Sequence, residues 1–198
     1  MEFTDKQYCI FCSAFILVLG IMMGAIFSAG SPEFASATQA QYGKSVVNQT
    51  YSEVKEQISH ENIPLVVGIG LFLVIFIINN LFFVTLIVFL PYYFNNYVGV
   101  ISTSYLLFIS GFIPGAIFAR VIGVLGTSKT IIAFIPHGVF EFTAVIIAGY
   151  LAYYYLLNGA QDKSKPYMTR VYLKIVVPLI LTAAAMEVFI TPILIYLV

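Results

Sequence analysis

From Pro64 to Leu90 the chain reads PLVVGIGLFLVIFIINNLFFVTLIVFL, with no charged residue. At a helical rise of about 1.5 Å per residue, this run is long enough to cross the ~30 Å hydrocarbon core of a bilayer. A helix apolar on every face is a membrane span or the core of a large protein. Pro64 suits the first helical turn, where its missing N–H costs nothing, and Pro91 stops the helix. The stretch is therefore read as a span over 64–90.

Four further apolar runs flank it, over about 8–29, 98–121, 131–157 and 171–198. The first, from Tyr8 to Ala29, is longer than a signal-peptide core, and Ser28-Ala29-Gly30 resembles a cleavage site only weakly, so it is read as a retained span. Composition agrees: 61% of the 198 residues are hydrophobic and 9% charged, with a mean hydropathy of +0.98. At roughly 20 residues per span, that length leaves no room for a separate soluble catalytic domain. Nine basic residues balance nine acidic ones, so there is no field to hold nucleic acid. The expected fold is all-α: a single polytopic membrane bundle over 1–198, of about five spans, with broken or kinked helices.

Segment 30–63 is the one extended polar stretch, carrying Glu33, Lys44, Glu53, Lys55, Glu56, His60 and Glu61. Within it Val47, Tyr51, Val54 and Ile58 recur at helical spacing, predicting one short amphipathic loop helix that ends before Pro64. Asn48-Gln49-Thr50 is a glycosylation triplet of a kind common by chance. Lys6, Lys163, Lys165, Arg170 and Lys174 outnumber Lys44, Lys55, Arg120 and Lys129 across the five-span topology, which predicts a cytoplasmic N-terminus, an extracellular C-terminus and an extracellular polar loop. Trp is absent, leaving 14 Tyr and 18 Phe for interfacial belts.

Small residues predict where helices meet. Gly20, Gly24 and Ser28 form one seam; Gly111, Gly115, Ala119 and Gly123 form another, broken by Pro114. Arg120 and Lys129 are expected to mark a short loop, Pro136-His137-Gly138 to interrupt the fourth span, and Pro178 and Pro192 to interrupt the fifth. Cys9 and Cys12 lack a second pair, whereas a zinc site needs about four ligands, so they read as small apolar side chains.

Polar groups inside the spans are few, and a charged one costs roughly 2.5–3.5 kcal/mol at a helix centre. They are Asn79, Asn80, His137, Glu141 and Glu187. His137 and Glu141, one turn apart, share a helix face and can hydrogen-bond. Asn79 and Asn80 point about 100° apart and so cannot both face one neighbour. Glu141 and Glu187 each fall roughly 15–17 Å from the same membrane face, so they can meet if the fourth and fifth spans pack together. Three readings stay open: polar glue fixing the packing register, a proton or cation site, or a catalytic metal site. Any metal is left undetermined. No paired acidic motif, HExxH or nucleophile beside a base is present, so no enzyme activity and no cofactor are expected.

Pro136-His137-Gly138-Val139-Phe140-Glu141 through Gly149 resembles the PHGxxExxAxxIAG signature of the stage II sporulation protein M (SpoIIM) family. Asn79-Asn80 and Ala184-Ala185-Met186-Glu187-Val188-Phe189-Ile190-Thr191-Pro192 resemble two further motifs of that family, in order and rough spacing, while Ser110-Gly111 replaces its frequent Asn-Gly. The resemblance implies a multi-pass plasma-membrane protein whose namesake works with partner proteins in septal membrane migration and helps localise a peptidoglycan-degrading complex. On this reading the chain is a non-catalytic component of a membrane complex, with lipid and either further copies of itself or other membrane proteins as partners. The alternative is a transporter or permease-like subunit binding a proton or cation at the His/Glu/Glu cluster.

Overall fold

The computed structural model describes residues 4–30, 65–94, 96–158 and 164–197. The expected loop helix, the glycosylation triplet and His60 lie outside the described residues. Five helices account for nearly all of the rest: α1 Asp5–Gly30, α2 Leu65–Phe89, α3 Asn96–Leu125, α4 Thr127–Asn158 and α5 over 164–197. Each is long and apolar enough to cross a membrane, and there is no strand among the described residues. The chain is thus an all-α membrane bundle.

Lipid tails are as apolar as leucine, so burial of hydrocarbon does not drive these helices together; close van der Waals packing and interhelical hydrogen bonds do. The surface shows this inversion: Phe11, Phe15, Ile26, Ile75, Ile78 and Ile101 are exposed. α4 is the central helix, in contact with all four others. Its inner face from Ala144 to Leu156 alternates small and large buried residues, including Ala148, Leu151 and Ala152. Gly149 sits where α1, α3 and α4 converge, with the Ser13 hydroxyl and the Leu107 side chain occupying the space a Cβ would need.

The two small-residue seams pack against each other. A Cβ at Gly20 or Gly24 of α1 would run into the carbonyl of Phe108 or Phe112 in α3; one at Gly111 or Gly115 of α3 would run into the carbonyl of Leu17 or Ile21 in α1. Backbone thus meets backbone, which only glycine permits. Gly123 departs from the expected seam, since nothing lies within 4 Å of its side-chain position. The contact instead ends on a hydrogen bond, with Arg120 Nε donating to the Ser28 hydroxyl at 3.1 Å.

Arg120 therefore belongs to α3 and Lys129 to the first turn of α4, not to a loop. The link is Gly126 alone, at φ 79°. Its N–H closes α3 on the Ile122 carbonyl, and its own carbonyl accepts from the Thr130 N–H and, at 2.7 Å, from the Thr130 hydroxyl. One left-handed residue thus caps two helices, and charge marked the neighbourhood of the turn without marking its length. L-residues pay about 1–2 kcal/mol in this conformation. Gly126→Ala is expected to lower stability by that amount, read as an earlier unfolding midpoint in a titration of the micellar protein with dodecyl sulfate; an unchanged midpoint would contradict the left-handed turn.

Pro136 does not interrupt the fourth span as expected. α3 and α4 run through Pro114 and Pro136 without interruption. α5 widens rather than breaks: its α-helical stretches Ser164–Val171, Val177–Ala185 and Thr191–Leu197 are joined by π-helical turns at Tyr172–Val176 and Met186–Ile190. Proline at position i clashes with the carbonyl of residue i−4, which is Lys174 for Pro178 and Val188 for Pro192. Both carbonyls fall inside π turns, where the extra residue per turn relieves the clash.

The end of the bundle near Tyr92 is aromatic. Tyr93 and Tyr97 are 83% and 85% exposed, as interfacial anchors are. Tyr92 turns inward against Tyr155, ring centroids 4.4 Å apart, beneath the Lys165 ammonium at 5.7 Å, tying the ends of α2, α4 and α5 together.

Candidate functional site

A cavity of about 330 Å³ opens between α2, α3, α4 and α5. Its polar lining is Asn79 and Asn80 from α2, Ser110 from α3, His137 and Glu141 from α4, and Glu187 from α5. All five residues singled out by the cost of placing them in a span thus border one space. Ser110, which stands where the resembling family often has an amide, completes the ring. Glu141 lies about 20 Å along α4 from Thr127, and Glu187 about 15 Å before Leu197, which places the cavity well inside the membrane-crossing part of the bundle.

Helix geometry explains how each group arrives. His137 and Glu141 project from one face of α4, the helix every other element touches. Glu187 sits in the second π turn of α5. A π turn adds one residue, and each residue advances a helix by about 100°, so the turn resets which face follows it. There Glu187 reaches α4, with its Oε2 2.6 Å from His137 Nδ1. His137 is only 9% exposed. Neither of the two atoms makes a well-directed hydrogen bond, so the imidazole and the carboxylate meet in a short polar contact across the bundle. The i, i+4 spacing of His137 and Glu141 permits a hydrogen bond between them, but the imidazole is taken up across the bundle by α5. Glu141 makes no hydrogen bond or salt bridge among the described residues.

Asn79 is exposed and Asn80 half-buried, as their 100° separation requires, yet both border the cavity because it lies between several helices. Among the described residues, no group of three or more His, Cys, Asp or Glu could hold a metal ion, so His137 and the two glutamates lend the metal reading no support. Cys9 and Cys12 are free thiols in α1, the first buried and the second half-buried.

Sequence reading overlooked a second set of polar contacts. Tyr172, in the first π turn, meets the Thr85 hydroxyl at 2.5 Å, and Thr85 gives its own proton to the Leu81 carbonyl, so the phenol is the donor. Ser104 and Tyr153 repeat the arrangement between α3 and α4 at 2.6 Å, with Ser104 donating to the Val100 carbonyl. Both π turns therefore carry a polar side chain onto a neighbouring helix, Tyr172 onto α2 and Glu187 onto α4. Ser, Thr and Tyr are too common in membrane helices for these pairs to stand out in sequence.

The family model described as Stage II sporulation protein M matches residues 13–192. No curated protein and no solved structure matches the chain.

Proposed function

The chain belongs to the stage II sporulation protein M family, and from that premise we propose that this multi-pass membrane protein is a non-catalytic component of a plasma-membrane complex. It sits with its N-terminus in the cytoplasm and assembles with further copies of itself or with other membrane proteins. The family match carries this reading, because it runs through the membrane helices themselves and ends on the last residue of the Glu187 motif, Pro192. Two features support it. His137 of α4 and Glu187 of α5 meet across helices, as structural polar groups in a bundle do. α1 also shows a broad apolar outer face that includes Phe11, Phe15, Met22 and Ile26, suited to lipid or to a partner helix.

The test is affinity capture of the full chain from native membranes in a mild detergent, followed by cross-linking. Recovery of a homo-oligomer or of stoichiometric membrane partners is the expected result. Recovery of the lone chain as a monomer would overturn it.

A second reading, a transporter or permease-like subunit taking a proton or cation at His137, Glu141 and Glu187, is favoured by one observation: those groups line a cavity and are not packed against side chains on every side. The two readings part at Glu187→Gln, which preserves assembly if the cluster is structural and abolishes ion-coupled flux if the cluster carries the ion.

A further inference from the structure

The cavity has a composition that selects among ligands. Among the described residues its ionisable side chains are Glu141, Glu187 and His137, and none of these lining residues is Lys or Arg. His137 supplies one base, and it is engaged by Glu187 at 2.6 Å. Glu141 is left as an acidic side chain with no hydrogen bond or salt bridge among the described residues. His137 itself, largely buried, borders the space with its Nδ1 turned to the Glu187 carboxylate. The rest of the lining is largely hydrocarbon and includes the rings of Phe76, Phe83, Phe134 and Phe142.

A carboxyl group at this depth holds a proton unless a positive partner takes its place. Phenyl faces attract cations, and more strongly once water is excluded. A cavity of about 330 Å³ falls within the size range of small-molecule sites and exceeds what a single bare ion would fill. We propose that this cavity binds a small organic cation, an ammonium or protonated amine with apolar substituents, with Glu141 as its counter-ion and the phenylalanine rings around its hydrocarbon. Asn79, Asn80 and Ser110 supply the remaining polar contacts at the rim. The proposal deepens the cation reading above by naming the ligand class, and it concerns equilibrium binding alone, so it stands or falls separately from flux and from complex assembly.

The test is isothermal titration of the full chain, in phosphatidylcholine nanodiscs, with benzyltrimethylammonium. Saturable binding is expected in the wild type. It should weaken about tenfold or more in Glu141→Gln, which keeps the shape and removes the charge. It should vanish in Ser110→Phe, which fills the space and leaves every charge in place. Neither sodium ions nor neopentylbenzene, the uncharged carbon analogue, should displace the probe. The proposal is overturned by absence of saturable binding, by wild-type affinity in Glu141→Gln, by displacement with sodium, which would make the site inorganic, or by displacement with neopentylbenzene, which would make it a hydrocarbon slot. If Glu141→Gln does not fold, Ser110→Phe decides alone, and unchanged binding there overturns the proposal.

Discussion

Gly24→Ala and Gly111→Ala each lower the stability of the bundle by about 1–3 kcal/mol, the range for overpacking a tight contact, while Gly123→Ala leaves it unchanged or raises it by up to about 1 kcal/mol. The opposite signs follow from what a new methyl meets. At Gly24 it meets the Phe112 carbonyl and at Gly111 the Leu17 carbonyl, backbone atoms that cannot swing aside. At Gly123 it meets nothing within 4 Å, so the intrinsic helical preference for alanine decides. Relief at the first two positions requires α1 and α3 to move apart, which loosens every contact along the seam at once. The double variant should therefore cost less than the sum of its parts, because the second methyl enters an interface already opened. Unfolding of the micellar protein by dodecyl sulfate measures all four proteins. Equal losses at Gly24 and Gly123 would show that the seam is not held by backbone approach.

The five helices were legible in sequence for a physical reason: a bilayer imposes a minimum length and an apolar composition on whatever crosses it, and both can be read without knowing any contact. The Gly20/Gly24 and Gly111/Gly115 seams were legible for a related one, since the absence of a side chain is the feature that acts. What escaped is local. Arg120 and Lys129 suggested a loop because charges gather at membrane faces, yet helices can run into that zone, and a single left-handed Gly126 turns the chain. Pro136 suggested a break, but within a bundle the neighbouring helices can hold a helix together past the one hydrogen bond proline removes. Pro178 and Pro192 were correctly read as disturbances; that each is absorbed by a π turn depends on where the obstructed carbonyl falls, which hydropathy does not encode.

The candidate site divides in the same way. Burial cost singled out Asn79, Asn80, His137, Glu141 and Glu187, and they line one cavity. Which carboxylate His137 engages could not be read from spacing. The i, i+4 relation pointed to Glu141 on the same helix, while the close contact is with Glu187, delivered by a π turn. Ser110, seen in sequence only as a departure from a motif, borders the cavity as well, a role that a hydroxyl announces only through its neighbours.

His137→Leu is expected to be the most damaging single change in the cluster, at about 3 kcal/mol, the upper end of the cost of leaving a polar group without its partner. It removes the one base among the described residues that line the cavity and leaves Glu187 facing Glu141. Glu187→Leu should cost less, about 1–3 kcal/mol, because what it strands is an imidazole: this side chain can remain uncharged, loses one polar partner, and still has Glu141 one turn away. Glu187→Gln keeps an oxygen for His137 and should stay within about 1 kcal/mol of the wild type. The double variant His137→Leu/Glu187→Leu replaces both partners with hydrocarbon in an apolar setting, so it should be less damaging than His137→Leu alone, with a coupling of about 1–3 kcal/mol in the double-mutant cycle. The ranking is specific to a cluster with one base and two acids. Were Glu141 the true partner of His137, removing Glu187 would relieve a repulsion, and Glu187→Leu would stabilise the protein. Additive costs in the cycle would show instead that the 2.6 Å contact couples nothing. The same variants bear on function, because a cluster that only fixes packing loses complex assembly in step with stability. Glu187→Gln would then leave both intact, and a variant that assembles normally yet no longer binds a cation would assign the cavity a role apart from the scaffold.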